Sequence, residues 1–299
     1  MTKKAVFGNI KNTVKMKEKE ENTPLVSVII TTRNEEKNLP GCLEALEAQT
    51  LERGSFEVIV VDNASTDRTK EIALAGADLF LEKGPERSSQ RNFGIESAHA
   101  PLCVYLDADM RLSPKVLEEC LEAFRDPAVA GLYIPENVVG KGYWIRVRNF
   151  ERSFYNATPI DGIRGVRKEL FLKLGGFDLS LCGPEDWDLN IRMKGEGELK
   201  LIGSHLDHDE GDFDFKRYLK KKKYYAASFE AYKAKWPGNG DVKKQFSLWY
   251  RYFGVFLENG KWKKLFAHPL LAAGMYFLRI AVGFAYLFGG RKIKNQEVY

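Results

Sequence analysis

Leu102-Cys103-Val104-Tyr105-Leu106-Asp107-Ala108-Asp109 is a run of five apolar residues followed at once by two carboxylates one residue apart. A short apolar run closed by polar residues predicts a buried strand. Asp107 and Asp109 then stand at its carboxyl end, their side chains splayed by strand alternation. Two other stretches have the same build: Leu25 to Thr31 runs into Thr32-Arg33-Asn34-Glu35, and Phe56 to Val61 runs into Asp62-Asn63-Ala64-Ser65-Thr66-Asp67. Helical periodicity lies between them, with Leu39, Cys42, Leu43 and Leu46 falling on one face. Further helices are expected from Thr66 and Ser88, and a short strand at Leu79 to Leu81. Ser113-Pro114 opens another helix as N-cap and first-turn proline.

Strands alternating with helices imply βαβ units and a parallel sheet covered on both faces, an α/β Rossmann-like sandwich. Ligands of such sheets bind at the carboxyl ends of strands, so the three polar clusters converge on one cleft. With 299 residues, 44% hydrophobic and 29% charged, the chain holds a sizeable core and is not disordered throughout. Its net charge of +5 is modest but uneven, since residues 216–235 carry eight Lys or Arg against the single acid Glu230. Cys42, Cys103, Cys120 and Cys182 are scattered without close pairs, which fits buried thiols in a reducing compartment. Residues 1–23 read as a flexible Lys- and Glu-rich leader without a secretory apolar run. Residues 24–211 form the α/β domain and 212–299 a helical extension.

Carboxylate oxygens are hard ligands, so Asp107 and Asp109 suit Mg²⁺ or Mn²⁺ on a diphosphate; a solvated turn would account for the pair taken alone. Glu185-Asp186-Trp187-Asp188 follows Gly175-Gly176-Phe177-Asp178 and Gly183-Pro184. Three acids in four residues mark a helix start, where the dipole favours them, or supply a general base for a hydroxyl. His205-Leu206-Asp207-His208-Asp209-Glu210-Gly211 comes after an expected strand, Leu199 to Ile202, and its histidines are either structural or metal ligands.

Over roughly residues 25 to 211 these stretches together resemble a family 2 glycosyltransferase of the GT-A fold. The motifs come in order: Val28 to Glu35, Val60 to Asp67, Glu86 to Gly94 with its Arg91-Asn92-Phe93-Gly94, Leu106 to Asp109, and Gly175 to Asp178 with Glu185 to Asp188. The resemblance implies an inverting, nucleotide-sugar-dependent enzyme. Thr31, Arg33, Glu35 and Asp62 would hold base and ribose, and Arg87 or Arg91 would lie near the nucleotide or its phosphates. Asp109 would bind the metal and Asp107 the ribose or metal, with His208 a further ligand as in some relatives. Asp186 of the Glu185-Asp186 pair would be the base, with Trp187 and Asp188 on the acceptor side. Asn63 stands where Asp is commoner and Gln90 where Ala is, which bears on base preference.

Beyond residue 212, Phe213 to Trp236 is basic and aromatic, Val242 to Glu258 reads as helical, and Leu265 to Phe288 has Arg279 as its only charge. That last stretch is long enough to span a bilayer. Arg279 near its middle adds about 2.5–3.5 kcal/mol against insertion, so a helix or hairpin lying in the interface is expected, with a true span or burial against the catalytic domain as the alternatives. With the flanking Lys261, Lys263, Lys264, Arg291, Lys292 and Lys294, this suggests a peripheral or monotopic protein at the cytoplasmic face of the cell membrane. Its acceptor would be a glycan or polyprenyl-linked glycan, and no nucleic-acid partner is expected. The alternatives are a polyprenyl-phosphate sugar transferase, whose acceptor needs no base, and a catalytically silent nucleotide-sugar binding protein.

Overall fold

The structure, a computed structural model, describes residues 23–225 and 228–288. The leader expected over 1–23 lies outside the described residues except for Thr23, as do Arg291, Lys292 and Lys294. In the first half come β1 (Val26–Thr32), α1 (Leu39–Glu47), β2 (Phe56–Asp62), α2 (Thr69–Gly76), β3 (Leu79–Glu82), α3 (Arg87–Ser97) and β4 (Leu102–Asp107). Next are β5 (Met110–Leu112), α4 (Val116–Ala123), β6 (Val129–Tyr133), β7 (Glu136–Lys141), α5 (Tyr143–Arg152) and β8 (Gly165–Arg167). Then follow α6 (Lys168–Lys173), α7 (Glu185–Lys194), β9 (Glu198–Leu201) and β10 (Leu206–Asp212). The C-terminal helices are α8 (Phe215–Tyr225), α9 (Phe229–Lys235), α10 (Gly240–Phe246), α11 (Val255–Leu257), α12 (Trp262–Ala267) and α13 (Pro269–Phe288).

Seven strands form the main sheet in the order β3-β2-β1-β4-β8-β6-β9. Every residue of β1 and β2 is buried, as continuous apolar runs in a two-sided sheet should be. One core lies between the sheet and α1, α2 and α4, through Leu39, Ala73 and Val116; the other lies under α3, α6 and α7, through Ile95, Phe171 and Leu189. The sheet is not all parallel, because β8 runs antiparallel to both β4 and β6. A three-residue strand is too short to show its direction as a sequence pattern.

A second sheet, β5-β10-β7, was not expected. Its central strand is Leu206–Asp212, the acidic stretch that follows the expected strand Leu199 to Ile202. His208 on β10 pairs with Met110 on β5 and Val138 on β7, and Asp209 N donates to Asp109 O at 2.8 Å. The segment 242–258 is not one helix but α10, a π turn over Tyr250–Gly254 and α11. Nor does Ser113 cap α4, whose N-cap position is Lys115; the Ser113 hydroxyl accepts from His205 N instead. The C-terminal helices share a third core with α5, in which Val147 and Phe150 meet Phe256, Met275 and Leu278. Among the described residues no helix is long and apolar enough to cross a membrane.

Candidate active site

Parallel register aligns Thr31 of β1 with Val61 of β2 and with Asp107 of β4, so three strands end level with one another. At that edge the Thr31 hydroxyl donates to Asp107 Oδ1 at 3.0 Å. Arg91 Nη2 reaches the same oxygen at 2.9 Å, while Arg87 Nη1 donates to Oδ2 at 3.1 Å. Burial raises the Asp107 carboxyl, but the Arg91, Arg87 and Arg164 guanidiniums outweigh it and hold the group well below the usual range. Both its oxygens are thus committed to cations of the protein.

Asp109 differs. Its Oδ2 lies 3.3 Å from His208 Nε2, and its buried Oδ1 has no hydrogen-bond partner. His208 Nδ1 is in turn 2.9 Å from Glu136 Oε1, and Glu136 Oε2 is held by Arg152 at 3.3 Å and Arg164 at 3.6 Å. Burial lowers the imidazole pKa, yet Asp109 and Glu136 together push it up to about 10. Strands β5, β7 and β10 therefore line up a carboxylate, an imidazole and a second carboxylate, the arrangement in which an outer acid fixes a ligating histidine. Among the described residues no three His, Cys, Asp or Glu side chains close around one point. Asp109 Oδ1 suits an ion of the Mg²⁺ or Mn²⁺ kind, which takes a carboxylate or two from protein and the rest from phosphate and water, and His208 Nε2 would join it by giving up the proton that Asp109 and Glu136 favour there. Of the two aspartates, Asp109 is the one with an oxygen that no protein group already holds.

Helix α7 brings the second acidic cluster to the same edge. Glu185 and Asp186 occupy its first turn. Arg91, buried with its guanidinium 5.1 and 5.4 Å from the centres of the Tyr105 and Phe177 rings, joins Asp186 Oδ1 at 3.3 Å to Asp107. Asp186 also lies against Gly162, where a Cβ would come within 3.0 Å of Asp186 Cβ and 3.4 Å of its Oδ2. Glu185 is more deeply buried, its Oε2 has no partner, and burial followed by the Asp186 charge raises its pKa. Glu185 thus favours its proton, while Asp186 is the acid of the pair held by Arg91.

Successive helical residues are about 100° apart, so Trp187 and Asp188 leave the cleft. Trp187 packs among Phe229, Tyr232 and Phe246. Asp188 is fully buried, accepting from Arg192 Nε at 2.9 Å and Trp236 Nε1 at 2.8 Å and paired with Lys235 Nζ at 2.8 Å. Both residues, expected on the acceptor side, instead fasten α7 to α9. Asp62, expected to hold base or ribose, is engaged within its own loop: its Oδ1 accepts from Thr32 and Ser65 hydroxyls at 2.7 and 2.5 Å, and its Oδ2 from Ser65 N at 2.8 Å. It shapes the 62–67 loop and is fully enclosed. Glu35 stays near the cleft, its pKa raised by burial and by Asp109 and Asp107, and Arg33 lies half-buried on the same loop.

Gln90 fills its unusual position by donating to Thr32 O at 2.9 Å and Val61 O at 2.6 Å, tying β1 to β2; Asn63 donates to Pro85 O at 3.0 Å. His205 is exposed, its nearest acid being Asp207 at 3.6 Å, apart from the His208 cluster. Glu136, Gly162 and Tyr225 went unnoticed in the sequence. Tyr225, at the end of α8, accepts from Arg87 Nη2 at 3.1 Å. Glu136 had a usable signal, since it follows the buried run Val129 to Ile134 just as Asp107 follows its own strand.

The model of the family described as Glycosyl transferase family 2 matches residues 27–174. Glycosyltransferase AglE of Haloferax volcanii is 40% identical over 93 residues, covering 29% of this chain and 31% of its own. An uncharacterized glycosyltransferase of Haemophilus influenzae is 26% identical over 183 residues, covering 56% and 62%. The matches thus span less than two thirds of either relative. In fold, the chain is similar to the mannosyltransferase PcManGT from Pyrobaculum calidifontis in complex with GDP-Man and Mn²⁺. The TM-score is 0.56 at 20% identity, covering 94% of this chain and 80% of the other.

Proposed function

From the membership of this chain in glycosyltransferase family 2, carried by the match over residues 27–174, we propose that it is an inverting, metal-dependent sugar transferase acting on a nucleotide-sugar donor. The acceptor hydroxyl gives its proton to Asp186, its oxygen bonds to the anomeric carbon, and the bond to the diphosphate oxygen breaks on the opposite face. The nucleoside diphosphate leaves, and one displacement inverts the configuration. A divalent cation held by Asp109 and His208 would neutralise charge on the departing diphosphate. Arg91 orients Asp186, and Arg87 stands where a phosphate would draw it from Asp107. Glu35, Arg33 and the loop built on Asp62 form the nucleotide side.

The observation that supports this most is a pair of contact chains, His208–Asp109 and Asp107–Arg91–Asp186, which set β10 against the turn after β4 and join β4, α3 and α7 at one edge of the sheet. A mannosyltransferase of similar fold is seen with GDP-Man and Mn²⁺, the two kinds of ligand proposed here. We propose further that the acceptor is a glycan on a polyprenyl lipid, met at the cytoplasmic face of the cell membrane.

Screening nucleotide-sugar donors with Mn²⁺ and Mg²⁺ tests the reaction. Asp186→Asn should keep donor binding and lose transfer by about 10²–10⁴-fold, the usual worth of a general base. Near wild-type transfer by that variant would remove Asp186 from the role.

A further inference from the structure

Apolar side chains that the fold leaves in solvent gather on one surface. Phe266 and Leu270 are 78% and 77% exposed, and Phe277 and Ile280 on the following turns of α13 are 54% and 49% exposed. Leu270, Ala273, Phe277 and Ile280 are spaced by three or four residues, so they form one stripe of the helix. The opposite face carries Met275, Leu278 and Arg279, all buried on α5. A helix apolar on both faces belongs in a core or against lipid. Its inner face excludes spanning: Arg279 Nη1 lies 2.6 Å from Glu151 and 2.5 Å from the Tyr155 hydroxyl, an ion pair that lipid on all sides would break.

The stripe continues sideways through a surface box of Trp144, Phe213, Phe215 and Phe277, where the Phe215 and Phe277 rings stack at 6.3 Å. Cations border it: Lys263 beside Trp262, and Lys216, Arg217, Lys220 and Lys221 on α8, all exposed. A second copy docking by a two-fold axis would set these lysines against their own images. An anionic bilayer complements them, each cation near its surface adding about 1 kcal/mol.

We propose that the outer face of α12 and α13, with α8 as its basic rim, lies flat in the headgroup region of an anionic membrane. Helix α8 begins at Phe215 on this face and ends at Tyr225, bonded to Arg87 at the cleft. Eleven residues at the helical rise span roughly 15 Å, so a lipid-borne acceptor would reach from the bilayer to Asp186. The choice of acceptor rests on the function proposed above, but membrane docking itself does not.

The test is flotation of the full chain with phosphatidylcholine vesicles, with and without phosphatidylglycerol, in the absence of donor and acceptor. The protein should float with the anionic vesicles and be released by salt. Phe266→Asp with Leu270→Asp should abolish flotation at an unchanged melting temperature, both side chains being exposed; Lys220→Glu with Lys221→Glu should weaken it by about tenfold or more. Absence of flotation, or flotation that survives Phe266→Asp with Leu270→Asp, would overturn the proposal. So would a dimer in sedimentation that the same pair dissolves while vesicles capture nothing, which would assign the face to a second copy. An Asp186→Asn protein that transfers normally would sink the catalytic reading and leave this result standing.

Discussion

His208 and Asp186 each have a neighbour that fixes their place. For His208 the neighbour is Glu136, which occupies Nδ1 and leaves Nε2 turned to Asp109. Glu136→Gln should weaken Mn²⁺ binding measured by calorimetry by about 10–100-fold, the usual effect of losing an outer carboxylate. Unchanged affinity would mean that the histidine does not hold the ion. For Asp186 the neighbour is Gly162. Gly162→Ala should lower kcat with donor affinity kept, because the new methyl displaces the carboxylate from its place beside Arg91. A full-rate Gly162→Ala enzyme would show that the position of Asp186 is not critical. Asp107, Asp109 and Asp186 were legible in the sequence because acids that end an apolar strand or start a helix stand out. Gly162 was not, since its only distinction is a side chain brought next to it from 24 residues further on.

Among the elements, α7 and α13 show why a local reading goes astray. The acids of α7 read alike, yet rotation along the helix sends Asp186 to the cleft and Asp188 into a clasp with Arg192, Trp236 and Lys235. In α13, Arg279 counted as a charge opposing insertion, whereas its partner Glu151 lies 128 residues earlier on α5. Burial raises the Glu151 carboxyl, but Arg279 and Arg148 outweigh it and bring its pKa from 4.5 to about 2. Between those values the folded chain keeps the charge while the unfolded chain takes a proton, so the pair's stabilisation is complete above pH 4.5 and lost as pH falls through about 2. Denaturant melts should show stability falling over that interval, and Glu151→Gln should flatten this limb. At neutral pH the same variant should be less stable by roughly 3–5 kcal/mol, because Arg279 is left buried without its partner. An unchanged acid limb in Glu151→Gln would place the pH dependence elsewhere.

At the scale of the molecule, the main sheet brings β1, β2 and β4 to one level edge and α7 covers it, while the small sheet folds β10 across β5. Continuous apolar runs disclosed the first arrangement, because strands buried on both faces of a sheet carry them. That pattern could not disclose the second: β10 reads Leu-Asp-His-Asp-Glu-Gly-Asp, and its pairing partners come from 70 to 98 residues away along the chain. The proposed chemistry depends on that second arrangement, since it alone sets His208 opposite Asp109. Anomalous diffraction from a crystal grown with Mn²⁺ and a nucleoside diphosphate examines it directly. The manganese peak should lie between Asp109 Oδ1 and His208 Nε2, within coordination distance of the diphosphate and on the same side of the cleft as Asp186. A peak elsewhere, or a diphosphate bound away from Asp109, would contradict the proposed centre.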